Sequence, residues 1–114
     1  MVTIDAVRKF ALSFEEAVEL PHFEKTSFRV NKKIFATLDH KKKLLMVKLT
    51  AIDQSVLSAY DKTIVYPVKG TWGKQGATYI ELKKVRANVF KEAMTISYCL
   101  VAPKKLTEKY KSKK

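Results

Sequence analysis

At 114 residues, 46% hydrophobic and 30% charged, the chain is long enough to bury a core as one domain and too rich in aliphatics to be disordered. Its apolar runs, such as "LLMV" at 44–47, fall far short of the roughly 20 residues a membrane helix needs, so no membrane partner is expected. Twenty-three lysines and arginines against eleven acids give a net charge of +12, and the charge is uneven: residues 1–24 hold two bases and five acids, the remainder 21 bases and six acids. A surface of this kind gains free energy by displacing counterions from phosphates, an argument that serves DNA, RNA, an acidic protein or an anionic surface alike. The single cysteine, Cys99, excludes an internal disulfide, and "MVTIDAVRKF" shows no charged segment followed by an apolar one; both point to a cytoplasmic protein.

The first element is a helix over 3–14, capped by Thr3 and carrying Asp5 in its first turn, with Ile4, Val7, Phe10, Ala11 and Phe14 at helical spacing. Ser13 with Glu16 three residues later forms a second capping signal, which predicts a kinked or two-part helical entry closed by Pro21. The period then changes to two. "SFRV" and "IFATLD" flank "NKK", where Asn31 can take a left-handed turn, so a hairpin is expected, followed by a "DHKKK" turn and a third strand "LLMVKL". Thr50 caps the next helix, with Asp53 three residues on, through about Tyr60; Ile52, Val56, Leu57 and Tyr60 are its expected inward residues.

"TIVYPV" reads as the fourth strand, with Pro67 marking an edge or a bulge, and "ATYIELKKV" as the fifth. A last helix is expected over about 86–102, facing the core with Val89, Phe90, Ala93, Met94, Ser97, Leu100 and Val101. Pro103 ends it, and the tail from 103 to 114 carries six lysines and one glutamate and reads as a fraying helix. The order α-β(3)-α-β(2)-α with hairpin-length connections implies a single two-layer α+β domain, its helices on one face of an antiparallel sheet.

No catalytic constellation is visible. Nucleophilic catalysis needs a base within hydrogen-bond reach, and nothing in the spacing joins Cys99 to His22 or His40; the same three residues lack paired metal-ligand spacing. No catalytic residue, metal site or cofactor is therefore assigned, and the acids Glu15, Glu16 and Glu19 read as a solvated face. The stretch "GTWGKQG" at 70–76 holds all three glycines and the only tryptophan. It lacks the Gly-Lys-Ser/Thr ending of a phosphate loop and precedes a strand, and its "GKQG" matches the backbone-clamping G-x-x-G of KH domains without their flanking helices. A glycine-rich hairpin tip is the plain reading, on which Trp72 either packs on the sheet or stands among Lys69 and Lys74 where it can stack a base.

Three stretches, "PHFEKTSFRVNKKIFATL" at 21–38, "VKLT" at 47–50 and "SYCLVAPKKL" at 97–106, resemble in order and spacing the MmcQ/YjbR family of small bacterial proteins, over nearly the whole chain. The resemblance implies an α-β-β-β-α-β-β-α fold with an antiparallel sheet, related to type III secretion chaperones and described as a double wing, and with it the label DNA-binding. Ala77 stands where many members carry a larger, often aromatic, residue. The expectation is a DNA-binding module, monomeric or weakly dimeric, that uses Arg29, Lys48, Trp72, Lys74, Lys83 and Lys84 on the wet sheet face, with Lys104 and Lys105 of the tail as electrostatic support. A protein-interaction or chaperone-like domain binding an acidic partner is the alternative, and an enzyme is not expected.

Overall fold

A computed structural model describes residues 1–110. Helix α1 (Ile4–Leu12) begins as expected, with the Thr3 hydroxyl accepting the Ala6 N–H at 3.1 Å, and it buries Val7 and Ala11. Ser13 does not open a second helix. Its N–H and hydroxyl both donate to the Phe10 carbonyl and so close α1, and the chain turns at Glu16, whose φ is 63°. The next element is an additional strand, β1 (Val18–His22), paired with β2 (Lys25–Val30). Because β1 is a sheet edge, Pro21 is tolerated there rather than ending a helical segment.

Strands β3 (Lys33–Asp39), β4 (Leu44–Lys48), β5 (Val65–Pro67) and β6 (Ala77–Glu81) complete a fully antiparallel sheet in the order β1-β2-β3-β4-β6-β5. The α+β class and the antiparallel sheet are as expected, with six strands instead of five. Asn31 and Lys32 both adopt left-handed backbone (φ 52° and 69°), the conformation of the two-residue hairpin turn that matches strand twist. A register shift after Phe28 lets Phe35 and Ala36 both face the core, so the "IFA" stretch departs from strict alternation. Leu38, Leu45, Val47, Ile80 and Val65 line this core face, while Leu44, Met46, Tyr66 and Tyr79 line the other.

The helical layer is centred on α4 (Ala87–Val101), which packs on β3 and β4 and buries Phe90, Ala93, Met94, Ser97 and Tyr98. Phe14, just past α1, meets Phe10 of that helix edge-on, stacks on Tyr98 at 4.5 Å and meets Phe35 and Tyr110 edge-on, so one aromatic cluster joins α1, the sheet and the C-terminal segment. That segment does not fray before Tyr110: a helical turn, α5 (Lys104–Thr107), and a 3₁₀ turn (Glu108–Tyr110) bury Leu106 and Thr107. The Tyr110 hydroxyl accepts the Glu15 N–H at 2.9 Å, and Lys109 pairs with the Glu15 carboxylate. Of the expected lysine-rich tail, 111–114 lie outside the described residues.

Two expected inward faces are corrected. Helix α2 (Ala51–Tyr60) buries only Leu57, leaving Ile52, Val56 and Tyr60 76%, 52% and 73% exposed. Gln54 explains the rotation. Its side-chain amide donates to the Gly73 and Ala77 carbonyls and the Thr78 hydroxyl at 2.9–3.3 Å, which turns the 54/57/58 side of the helix inward and the 52/56/60 side outward. On α4, Leu100 is 49% exposed and faces one open end of the sheet.

Candidate nucleic-acid interface

The "GTWGKQG" stretch joins the antiparallel pair β5 and β6, as expected of a hairpin connection, and it carries a helical turn, α3 (Thr71–Lys74), in place of a tight tip. Its two inner glycines are required by close approach. A Cβ at Gly73 would lie 1.8 Å from the Val68 carbonyl oxygen, and one at Gly76, where φ is 105°, would lie 2.1 Å from that of Leu49. With Gly73 pressed inward, Trp72 stands 68% exposed and Lys74 is exposed beside it. The Gln75 N–H donates to the Thr71 and Trp72 carbonyls at 3.1 Å, closing the turn.

At this end of the sheet four segments converge on a groove of about 710 Å³: the end of β2 and its turn (Arg29, Lys32), the start of β3 (Lys33, Ile34), the end of β4 (Lys48 to Thr50) and Gln75. Leu100 and Val101 of α4 form its apolar wall. The convergence follows from the pairing: Lys48 is opposite Ala77, and β4 pairs Val47 with Ala36, so the β2–β3 turn, the end of β4 and the start of β6 share one edge of the layer. Ser97 of α4 fixes the geometry. Its hydroxyl donates to the Phe35 carbonyl, which the bulge leaves out of the regular ladder, and accepts the Lys48 N–H at 2.8 Å.

Arg29 is half-buried, and its Nε donates to the Ser27 hydroxyl at 3.0 Å, which in turn donates to the Leu20 carbonyl. A guanidinium has further N–H donors; of those of Arg29, only Nε makes a hydrogen bond among the described residues. The groove lining contains four cations and no carboxylate. The ion pairs among the described residues, Arg8 with Glu19 at 3.1 Å and Lys109 with Glu15 at 2.8 Å, draw on the acidic N-terminal segment and on none of these cations. Their field is therefore directed at solvent, which favours an anion.

The structure thus brings Arg29 and Lys48 together and puts Trp72 and Lys74 on the neighbouring turn. It separates the other expected contacts. Lys83 lies past the far end of β6 from Ala77, the strand alone spanning roughly 13 Å at the spacing of extended chain, in a hollow with Met1, Ile4 and Lys43. Lys84 lines a further hollow with Tyr60, Arg86 and Glu92, and its charge adds to the Thr63 hydrogen bonds that hold Asp61 below the usual carboxylate range. Lys104 and Lys105 are exposed on α5 and do not line the groove. Lys32, Lys33 and Gln75 are not among the contacts expected from sequence. Their signal is the "NKK" turn itself, because a two-residue hairpin turn places both lysines at one sheet end.

Among the described residues, no group of three or more His, Cys, Asp and Glu side chains could hold a metal ion, and no helix is long and apolar enough to cross a membrane. His40 shares a hydrogen bond with Thr26 at 2.8 Å, His22 lies against the Phe23 ring, and Cys99 is half-buried against the core.

Fold and groove together define a two-layer α+β domain with a cationic site at one end of its sheet. Neither family models nor curated proteins yield a match to the chain. Among solved structures, the crystal structure of protein DR2400 from Deinococcus radiodurans, a DUF419 domain, is similar with a TM-score of 0.80, covering 96% of this chain and 88% of that one. At 20% identity the likeness establishes a shared fold.

Proposed function

We propose that this chain is a DNA-binding module of the MmcQ/YjbR type that works by binding and not by catalysis, with phosphates held in the groove of Arg29, Lys32, Lys33 and Lys48. The observation that carries the reading is that four cations from three segments line one groove without a carboxylate. The sequence stretches at 21–38, 47–50 and 97–106 support the family, and the first two supply all four cations. Such a module acts in the cytoplasm, as a monomer or a weak dimer.

Fluorescence anisotropy of a labelled DNA, read against salt, tests the proposal. If the four cations meet four phosphates, log K falls with log salt at a slope of about −3. No binding at low ionic strength refutes it.

One observation favours a second reading. The exposed Ile52, Val56 and Tyr60 recur at i, i+4 and i+8 along α2 and form an apolar stripe on the side of the molecule that carries the helices. A protein-binding role for α2 predicts that converting the three to polar residues abolishes capture of a protein partner and leaves DNA affinity unchanged.

A further inference from the structure

The groove is small for the face of a duplex. Its volume of about 710 Å³ is that of a site for one drug-sized molecule. Its lining is mixed: beside the four cations it holds Ile34, Leu100 and Val101, which have no evident role in holding phosphate. Trp72 stands outside the lining, on the turn that supplies Gln75 to it. Residues three apart in a helical turn share a face, which puts Trp72 of α3 on the same side as its C-cap Gln75, a lining residue of the groove, whereas the Gly73 Cα faces the Val68 carbonyl. The tryptophan is fixed at its backbone by the Gln75 hydrogen bond, and its ring lies 68% open to solvent.

An indole on the turn beside a cationic groove matches two parts of a nucleotide, base face and phosphate, that are accessible together only in an unpaired strand. The phosphate meets the cations, and the flat face of the base meets the ring. In a duplex the base faces are already stacked on one another, so phosphates and base edges are on offer but no face for the ring. We infer that the groove binds single-stranded DNA, with one unpaired base stacked on Trp72 and the adjoining phosphates held by Arg29, Lys32, Lys33 and Lys48. The inference rests on the DNA-binding reading above and narrows it to unpaired strands. Gln75, whose amide offers both donors and an acceptor at the groove wall, is placed to meet a base edge.

The chain contains a single tryptophan and five tyrosines, so fluorescence excited at the red edge, where tyrosine does not absorb, reports on Trp72 alone. Purified protein is titrated at low salt with an oligo-dT strand and, separately, with a blunt duplex of equal length, and each is repeated with Trp72→Ala and Trp72→Phe using labelled DNA. The expected result is tighter binding of the single strand with quenching that tracks saturation, a loss of about tenfold in Trp72→Ala, the scale of one base–aromatic stack, and recovery of most of it in Trp72→Phe. Equal affinity for the duplex, binding without quenching, or full affinity in Trp72→Ala overturns the inference and leaves the phosphate groove standing. Binding of neither DNA overturns the groove reading, and this inference with it.

Discussion

Ser97 joins the fold to the groove, and its removal has a predictable cost. The residue is fully buried on α4, and one hydroxyl serves two backbone groups: it donates to the Phe35 carbonyl on β3 and accepts the Lys48 N–H on β4 at 2.8 Å. Ser97→Ala removes both bonds without opening a large cavity, and it leaves a donor and an acceptor sealed from water between helix and sheet. Each such orphaned group costs about 1–3 kcal/mol, so the variant should lose about 2–6 kcal/mol of stability. For a chain of this size that is a fall in Tm of about 10 °C or more.

Urea unfolding followed by far-UV circular dichroism measures the loss as a lower midpoint at unchanged slope. Hydrogen exchange adds a local readout, because the Lys48 amide should exchange faster in Ser97→Ala than its neighbours in β4 do. A loss below about 0.5 kcal/mol, the range of ordinary surface changes, would refute the reasoning. It would mean that water or a shift of α4 satisfies both groups, and that Ser97 does not position Lys48.

Two further outcomes are expected. Gly76→Ala places a methyl 2.1 Å from the Leu49 carbonyl oxygen at a φ of 105°; the clash and backbone strain together should cost about 2–4 kcal/mol in the same urea assay, and an unchanged midpoint would contradict the close approach of α3 to β4. Tyrosinate absorbance against pH should show Tyr66 and Tyr98 ionising at about 12, burial being the first cause in both, aided by Glu81 for Tyr66 and by Tyr110 for Tyr98. Since folding raises both values above the ordinary 10.0, the stability they contribute is complete below pH 10 and is lost as pH rises through 12. Ionisation of all five tyrosines together near 10 would show the two hydroxyls to be open to water.

The parts of the fold legible in the sequence are those where local pattern and tertiary packing agree. Thr3 and Thr50 cap their helices, Asn31 turns its hairpin left-handed, and Phe90, Ala93, Met94 and Ser97 form the inner face of α4. Strand β1 is obscured because its neighbouring acids and Pro21 resemble a helix end, although "VELPH" alternates and an edge strand accommodates proline. The face of α2 is misleading because apolar periodicity points to 52/56/60, whereas a polar residue, Gln54, with three acceptors beneath it decides which side packs. No hydropathy pattern encodes that choice.

The candidate site shows the same division. Arg29 and Lys48 can be named as cations on alternating strands, and the structure places them together. Lys83 and Lys84 cannot be separated from them without the β4–β6 register, which puts them at the far end of the sheet. Lys32 and Lys33 read as turn residues because the turn chemistry explains them sufficiently; only strand order shows that this turn, the end of β4 and Gln75 meet. Trp72 carries two readings in the sequence, and its 68% exposure leaves the one in which the ring is open to solvent.

The central claim is that this groove, and not the overall charge of +12, binds DNA. The direct measurement compares two double variants that remove the same charge, Arg29→Ala/Lys48→Ala and Lys83→Ala/Lys84→Ala, in DNA affinity as a function of salt. Each lost phosphate contact should cost about 0.7–0.9 of a log unit at 0.1 M salt, so the groove pair should weaken binding by about 25- to 60-fold and flatten the salt slope by about 1.5. The distant pair, more than a Debye length from the groove, should change affinity by less than about twofold. Equal losses from the two pairs would contradict the account, because they would show binding to follow net charge wherever on the surface it lies.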